Sequence, residues 1–268
     1  MTVPPAVLRI VLIVLGAYVA LIAVACVVQR KMLYFPDDSV VVPEDGMQDV
    51  SLQTADDVAI KATWWPGTRD VTLILFHGNA GHRGDRFDWM RTFVNLGWNV
   101  LLVDYRGYGG SDGSPSERGL RNDADAAVAW MQANHPKQRL VYFGESIGSS
   151  VALACAARTP PAGLILQAGA IDLADVAGEH YPALPTRLIL SDRFNARSTI
   201  GSIEAPLLSV HGTQDTIIPD HLGRAVFDAY QGPKAWYSVE GAGHNDLVYV
   251  GGRAYYERVH RFLESIGK

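Results

Sequence analysis

The chain has 268 residues and a formal net charge of −5, enough for one well-buried domain. The mild acidity argues against nucleic acid as a partner, which would favour a basic patch. Its two cysteines, Cys26 in an apolar N-terminal stretch and Cys155 in a predicted buried helix, form no disulfide framework and identify no redox compartment.

No charged side chain interrupts Ile10 to Val28. At about 1.5 Å per residue a helix of this length spans close to 30 Å, the thickness of a bilayer core. The segment also lacks the polar face of a soluble core helix. Residues 1–31 are therefore read as a transmembrane anchor that makes this a single-pass protein of the cell membrane. A cleaved signal peptide is the alternative, although Ala23-Val24-Ala25-Cys26 carries alanine where a lipoprotein cleavage site usually has a larger aliphatic residue. The amino terminus and Arg9 balance Arg30 and Lys31, so the positive-inside rule assigns no orientation. The anchor is expected to end near Gln29 and to contribute nothing to a site. Met32-Leu33-Tyr34-Phe35-Pro36 follows, with aromatic residues suited to a membrane interface.

Residues 32–268 read as one domain in which strands and helices alternate. Strands are predicted at Val58–Trp65, Val71–Phe76, Trp98–Val103, Leu140–Phe143, Leu164–Gln167, Leu207–Val210 and Ala235–Val239. Helices are predicted at Arg86–Leu96, Leu120–Asn134, Ser149–Arg158 and Tyr255–Ser265. Apolar strands alternating with helices imply a mostly parallel central sheet with helices on both faces. Ligands of such sheets bind beyond the carboxyl ends of the strands. Residues 170–205 separate two neighbouring strands and read either as a small lid or as a connecting helix with irregular flanks. Leu173, Val176, Tyr181, Leu184, Leu188, Ile189 and Leu190 would supply such a lid with an apolar wall for a short-to-medium acyl group, a lid of about 35 residues being small for a long chain. The alternative is that they simply pack the lid onto the domain.

Four motifs lie at strand ends. Gly144-Glu145-Ser146-Ile147-Gly148 is a Gly-x-Ser-x-Gly pattern between a predicted strand and a predicted helix, the context in which it exposes a nucleophilic serine. Its glycines allow the sharp turn. A serine hydroxyl needs a base, and His244, in the loop after the last strand, fits best among the eight histidines. His211 is expected to pack beneath a neighbouring loop. The base needs an orienting acid. Asp215, in His211-Gly212-Thr213-Gln214-Asp215, gives the chain order Ser146, Asp215, His244 of α/β hydrolases; Asp172 is the competing acid. The oxyanion of a tetrahedral intermediate needs backbone donors. These are expected at Ile147 and at Asn79, with Ala80 as second choice, in His77-Gly78-Asn79-Ala80-Gly81. Asp104 and Arg106 are expected to tie loops together. No phosphate loop or His/Cys cluster appears, so no cofactor or metal is expected.

These motifs, together with Gln29-Arg30-Lys31, Tyr34-Phe35-Pro36, Asp104-Tyr105-Arg106-Gly107-Tyr108-Gly109, Asp192-Arg193-Phe194, Ile218-Pro219 and Gly243-His244-Asn245-Asp246, resemble the Bem46-like α/β hydrolases, relatives of the ABHD13, ABHD12 and ABHD17 groups. The resemblance covers nearly everything from Gln29 onward. It implies the α/β-hydrolase fold, a triad of Ser146, Asp215 and His244, one membrane span, and hydrolysis of acyl esters or thioesters, lipidic for some members. Glu145 departs from the basic residue often found before this serine. The expected partners are a small-molecule or lipidic acyl substrate and the membrane. The alternative is a membrane-tethered binding or scaffold protein that kept the fold and lost turnover.

Overall fold

The computed structural model describes residues 4–267; Met1–Val3 of the expected anchor, with the amino-terminal charge, and Lys268 lie outside the described residues. The first element is a 29-residue helix, α1 (Pro5–Leu33), with no buried residue. It is long and apolar enough to cross a membrane, as a signal sequence also is, and runs about 44 Å at helical rise. It ends at Leu33, beyond the expected boundary, where Tyr34 turns to extended backbone.

Eight strands form one sheet: β1 (Gln48–Gln53), β2 (Ala59–Trp65), β3 (Val71–Phe76), β4 (Asn99–Val103), β5 (Arg139–Glu145), β6 (Gly163–Gln167), β7 (Leu207–Gly212) and β8 (Lys234–Val239). Their spatial order is β1-β2-β4-β3-β5-β6-β7-β8. Every ladder is parallel except β1–β2 and β2–β4. β1 was not among the predicted strands. Only Val50 and Leu52 of its six residues are buried, so it carries the short alternation of a half-covered edge.

The inner strands are buried on both sides because their alternate residues enter two cores. Ile74 and Phe76 of β3 face one core; Val71, Leu73 and Leu75 face the other. The first core is closed by α3 (Glu117–Asn134), α4 (Ile147–Ala156) and α7 (Asp220–Ala229). The second is closed by α2 (Phe87–Asn95) and α8 (Leu247–Gly267). Leu120, Ala124, Ala127, Val128 and Met131 make the inward stripe of α3 at helical spacing, and Ser116 caps its start by accepting from the Gly119 amide at 3.1 Å.

The segment between β6 and β7 is the one read as a small lid or a connecting helix. It holds two short helices, α5 (Leu173–His180) and α6 (Thr186–Ile189), and a 3-10 turn at Ile200–Ser202. α1 packs along this segment. Tyr18 donates to the Ala183 carbonyl at 2.8 Å, Gln29 to that of Ile189 at 3.2 Å, and the Ser191 amide to Gln29 at 2.7 Å. Arg30 pairs with Asp192 at 2.9 Å.

Candidate active site

β5 runs straight into α4, and the turn between them carries Ser146 at φ 54°, ψ −119°. An L-residue rarely adopts that backbone, and it marks a strained position held by its surroundings. The flanking glycines show why the turn needs them. A Cβ on Gly144 would lie 2.3 Å from Ser149 Cα, and one on Gly148 would lie 1.9 Å from the Phe76 carbonyl oxygen. The Ser146 amide donates to Gln167 at the end of β6, 2.8 Å away. α4 begins at Ile147, two residues before the predicted start, so the Ile147 N–H belongs to a first turn whose amides have no acceptor within the helix.

The loop after β8 brings His244 over this turn. Its Nε2 lies 2.9 Å from Ser146 Oγ and its Nδ1 lies 2.8 Å from Asp215 Oδ2. Asp215, just beyond β7, also accepts the amides of Ile217 and Ile218 at 2.9 and 2.8 Å. Burial works against its charge. The bond from His244, the charges of His244 and His211 and the backbone bond from Ile218 outweigh that and hold its carboxyl below the usual aspartate range. Three residues from three strand ends thus form one hydrogen-bonded chain. The competing acid, Asp172, is engaged elsewhere: it caps α5 through the Ala174 amide at 2.9 Å and pairs with Arg193.

The loop after β3 runs beside the serine. A Cβ on Gly78 would lie 3.6 Å from that of Ser146. Asn79 is fixed on both sides. Its carbonyl accepts from the Phe35 amide and the Tyr108 hydroxyl, each at 2.9 Å, and its side-chain amide donates to the Leu33 carbonyl at 3.1 Å. Ala80 is drawn into a two-residue parallel bridge with Phe35. Asp104 pairs with Arg83, and Arg106 with Asp56 and Asp123, so both tie loops together as expected. His211 stacks on Trp236 with centroids 5.8 Å apart, and its Nε2 lies 2.8 Å from the Ile218 carbonyl.

Two features had no clear signal in the sequence. Glu145, beside the serine, forms a two-toothed pair with Arg86 at 3.1 Å. Burial disfavours the Arg86 cation, but Glu145 and neighbouring carboxylates outweigh it and raise its pKa. This pair borders a cavity of about 210 Å³ that also includes Gln167 and His244. A second cavity, of about 300 Å³, lies between α1 and the lid. Of the lid residues expected to form an apolar wall, all but Leu188 line it; Leu188 is 86 % exposed. Its other wall is Ala25, Gln29, Met32 and Leu33 of α1.

The family model described as "Serine aminopeptidase, S33" matches residues 67–191. The Mycobacterium tuberculosis protein Rv2307c is 37% identical over 261 residues, covering 92% of this chain and 93% of that protein. The Xenopus laevis alpha/beta hydrolase domain-containing protein 17B is 34% identical over 198 residues, 72% of this chain and 66% of its own. The Mus musculus lysophosphatidylserine lipase ABHD12 is 29% identical over 275 residues, 82% of this chain and 69% of its own. Among solved structures, the Pyrococcus furiosus esterase Pf2001 superposes with a TM-score of 0.73 at 22% identity, over 87% of this chain and 100% of that one; at that identity the likeness speaks to the fold. The chain has the α/β-hydrolase fold preceded by an apolar helix, and it belongs to the ABHD-related family of α/β hydrolases.

Proposed function

We propose that this hydrolase cleaves an acyl ester or thioester by nucleophilic catalysis at Ser146. The observation that carries the reading is the chain of 2.9 and 2.8 Å contacts from Ser146 through His244 to Asp215. Ser146 Oγ attacks the acyl carbonyl carbon, and His244 Nε2 takes the hydroxyl proton. Asp215 keeps the imidazole oriented and stabilises its cation. The Ile147 N–H and that of Asn79 stabilise the oxyanion. Collapse of the tetrahedral intermediate expels the alcohol or thiol, which receives the proton from His244 and leaves Ser146 acylated. A water molecule, activated by the same imidazole, then releases the acid and restores the serine.

The lysophosphatidylserine lipase among its relatives supports an acyl substrate of lipidic character. In this reading α1 remains attached as a single-pass membrane anchor, with residues 32–268 as the catalytic domain and 170–205 as its lid. The contacts of Tyr18, Gln29 and Arg30 with the lid favour retention over removal of a signal peptide. The test is labelling of the full-length protein with a fluorophosphonate probe. Labelling is expected in the native chain and absent in Ser146→Ala. A native chain that folds and binds membranes yet fails to label would instead favour a binding or scaffold role.

A further inference from the structure

We infer that α1 is also one wall of the substrate site: the cavity between α1 and the lid binds a single aliphatic chain whose far end stays in the bilayer. The inference rests on the acyl-hydrolase reading for what happens at the other end of that chain. Three observations point the same way.

The first is how α1 is covered. Ile22, Ala25, Val28, Gln29 and Leu33 are its half-buried positions near the domain, a stripe at helical spacing. The small side chains of Ala25 on α1 and Ala177 on α5 stand in the two walls of the cavity, leaving room between the elements. At about 300 Å³ the space is at the low end for a ligand pocket, which suits one chain rather than two.

The second is depth. Tyr18, which holds the Ala183 carbonyl, lies within the uncharged run Ile10–Val28. It is eleven residues, about 16 Å, from Gln29, which holds Ile189 and Ser191. The lid tip Tyr181-Pro182-Ala183-Leu184-Pro185-Thr186 carries no charge, as a segment at that depth requires. The tip therefore lies alongside the part of α1 that lipid surrounds.

The third is where the cavity meets the catalytic loop. Gln29, Leu33 and Asp192 line it near the last turn of α1, where Asp192 is paired with Arg30 and accepts from Tyr34 at 3.2 Å. Tyr181 and Leu184, with His180 and Thr186, line it at the lid tip. The last turn of α1 also meets the catalytic loop, because the Leu33 carbonyl holds Asn79, next to Gly78 and Ser146. On this inference the acyl carbonyl lies toward Ser146 and the chain runs past Ala25 and Ala177 toward the bilayer.

The test uses full-length protein in phosphatidylcholine nanodiscs. Two variants fill the cavity from opposite walls, Ala25→Trp and Ala177→Trp, so that misfolding of one leaves the other. The ratio of kcat/KM for p-nitrophenyl dodecanoate to that for p-nitrophenyl acetate should fall by about tenfold or more in either. A palmitate analogue with a mid-chain diazirine should cross-link peptides covering both residues 25–33 and residues 173–190, and this should be lost in the variants. An unchanged ratio in both variants, or cross-links confined to the N-terminal half of α1, overturns the inference. Cross-linking at the cavity without fluorophosphonate labelling upholds the chain site and overturns the hydrolase reading alone.

Discussion

The side-chain amide of Asn79 donates to the main-chain carbonyl of Leu33 across 3.1 Å, fastening the loop beside Ser146 to the last turn of α1. Asn79→Ala keeps the backbone N–H but removes this tie. It should lower kcat by roughly five- to tenfold, the worth of about 1 kcal/mol for one hydrogen bond. Truncation to Tyr34 removes the same tie together with the α1 wall, so its loss should be at least as large. Combining the two changes should give less than the product of the separate losses, as for coupled sites. The measurement is kcat for p-nitrophenyl acetate normalised to labelled active sites.

Ser146→Ala, His244→Ala and Asp215→Ala should each reduce kcat by about 10³- to 10⁶-fold, with smaller changes in KM. Asp172→Ala should act differently. Its carboxylate caps α5 and holds Arg193, so its loss should lower stability by about 1 kcal/mol and leave most of kcat. A collapse of kcat in Asp172→Ala beside a mild Asp215→Ala would reassign the acid.

The pH profile should show one acid limb. Asp215 is held below the usual carboxylate range. Its stabilising contacts are complete above that range and are lost only as pH falls through its lowered value. Between pH 5 and 8 it stays charged, so a fall in rate on acidification across that interval comes from the base that must accept the serine proton and not from the acid. A flat kcat/KM across that interval would remove His244 as the base.

Arg86→Ala leaves Glu145 without its two-toothed partner next to Ser146. Unfolding free energy should drop by about 1–3 kcal/mol, the range for a partly buried group deprived of its bond. Arg86→Lys should recover only part of this, because an ammonium cannot reproduce the forked geometry. Urea titration of the three proteins measures it, and equal midpoints would show that the pair contributes nothing.

The central strands and the positions of Ser146, Asp215 and His244 were legible because each depends on local chemistry. A strand buried on both faces must be apolar throughout, as β3 is. A serine at φ 54° needs glycines two residues to either side. β1 was missed because two buried residues in six leave little pattern. The wall supplied by α1 left no trace for a different reason. A helix apolar all round shows no preferred side, so the stripe from Ile22 to Leu33 becomes visible only with the lid in place. The Arg86–Glu145 pair joins residues 59 apart in the chain, a separation at which spacing carries no signal.

The lid is pinned at more places than a flap allows. Its ends continue β6 and lead into β7, while its middle is held to α1 at Ala183, at Ile189 and at Asp192. A strip fixed at both ends and along its centre has no free edge to lift, so it has no hinge axis. With α1 in the bilayer as proposed, the seam between α1 and this segment is where the cavity meets lipid.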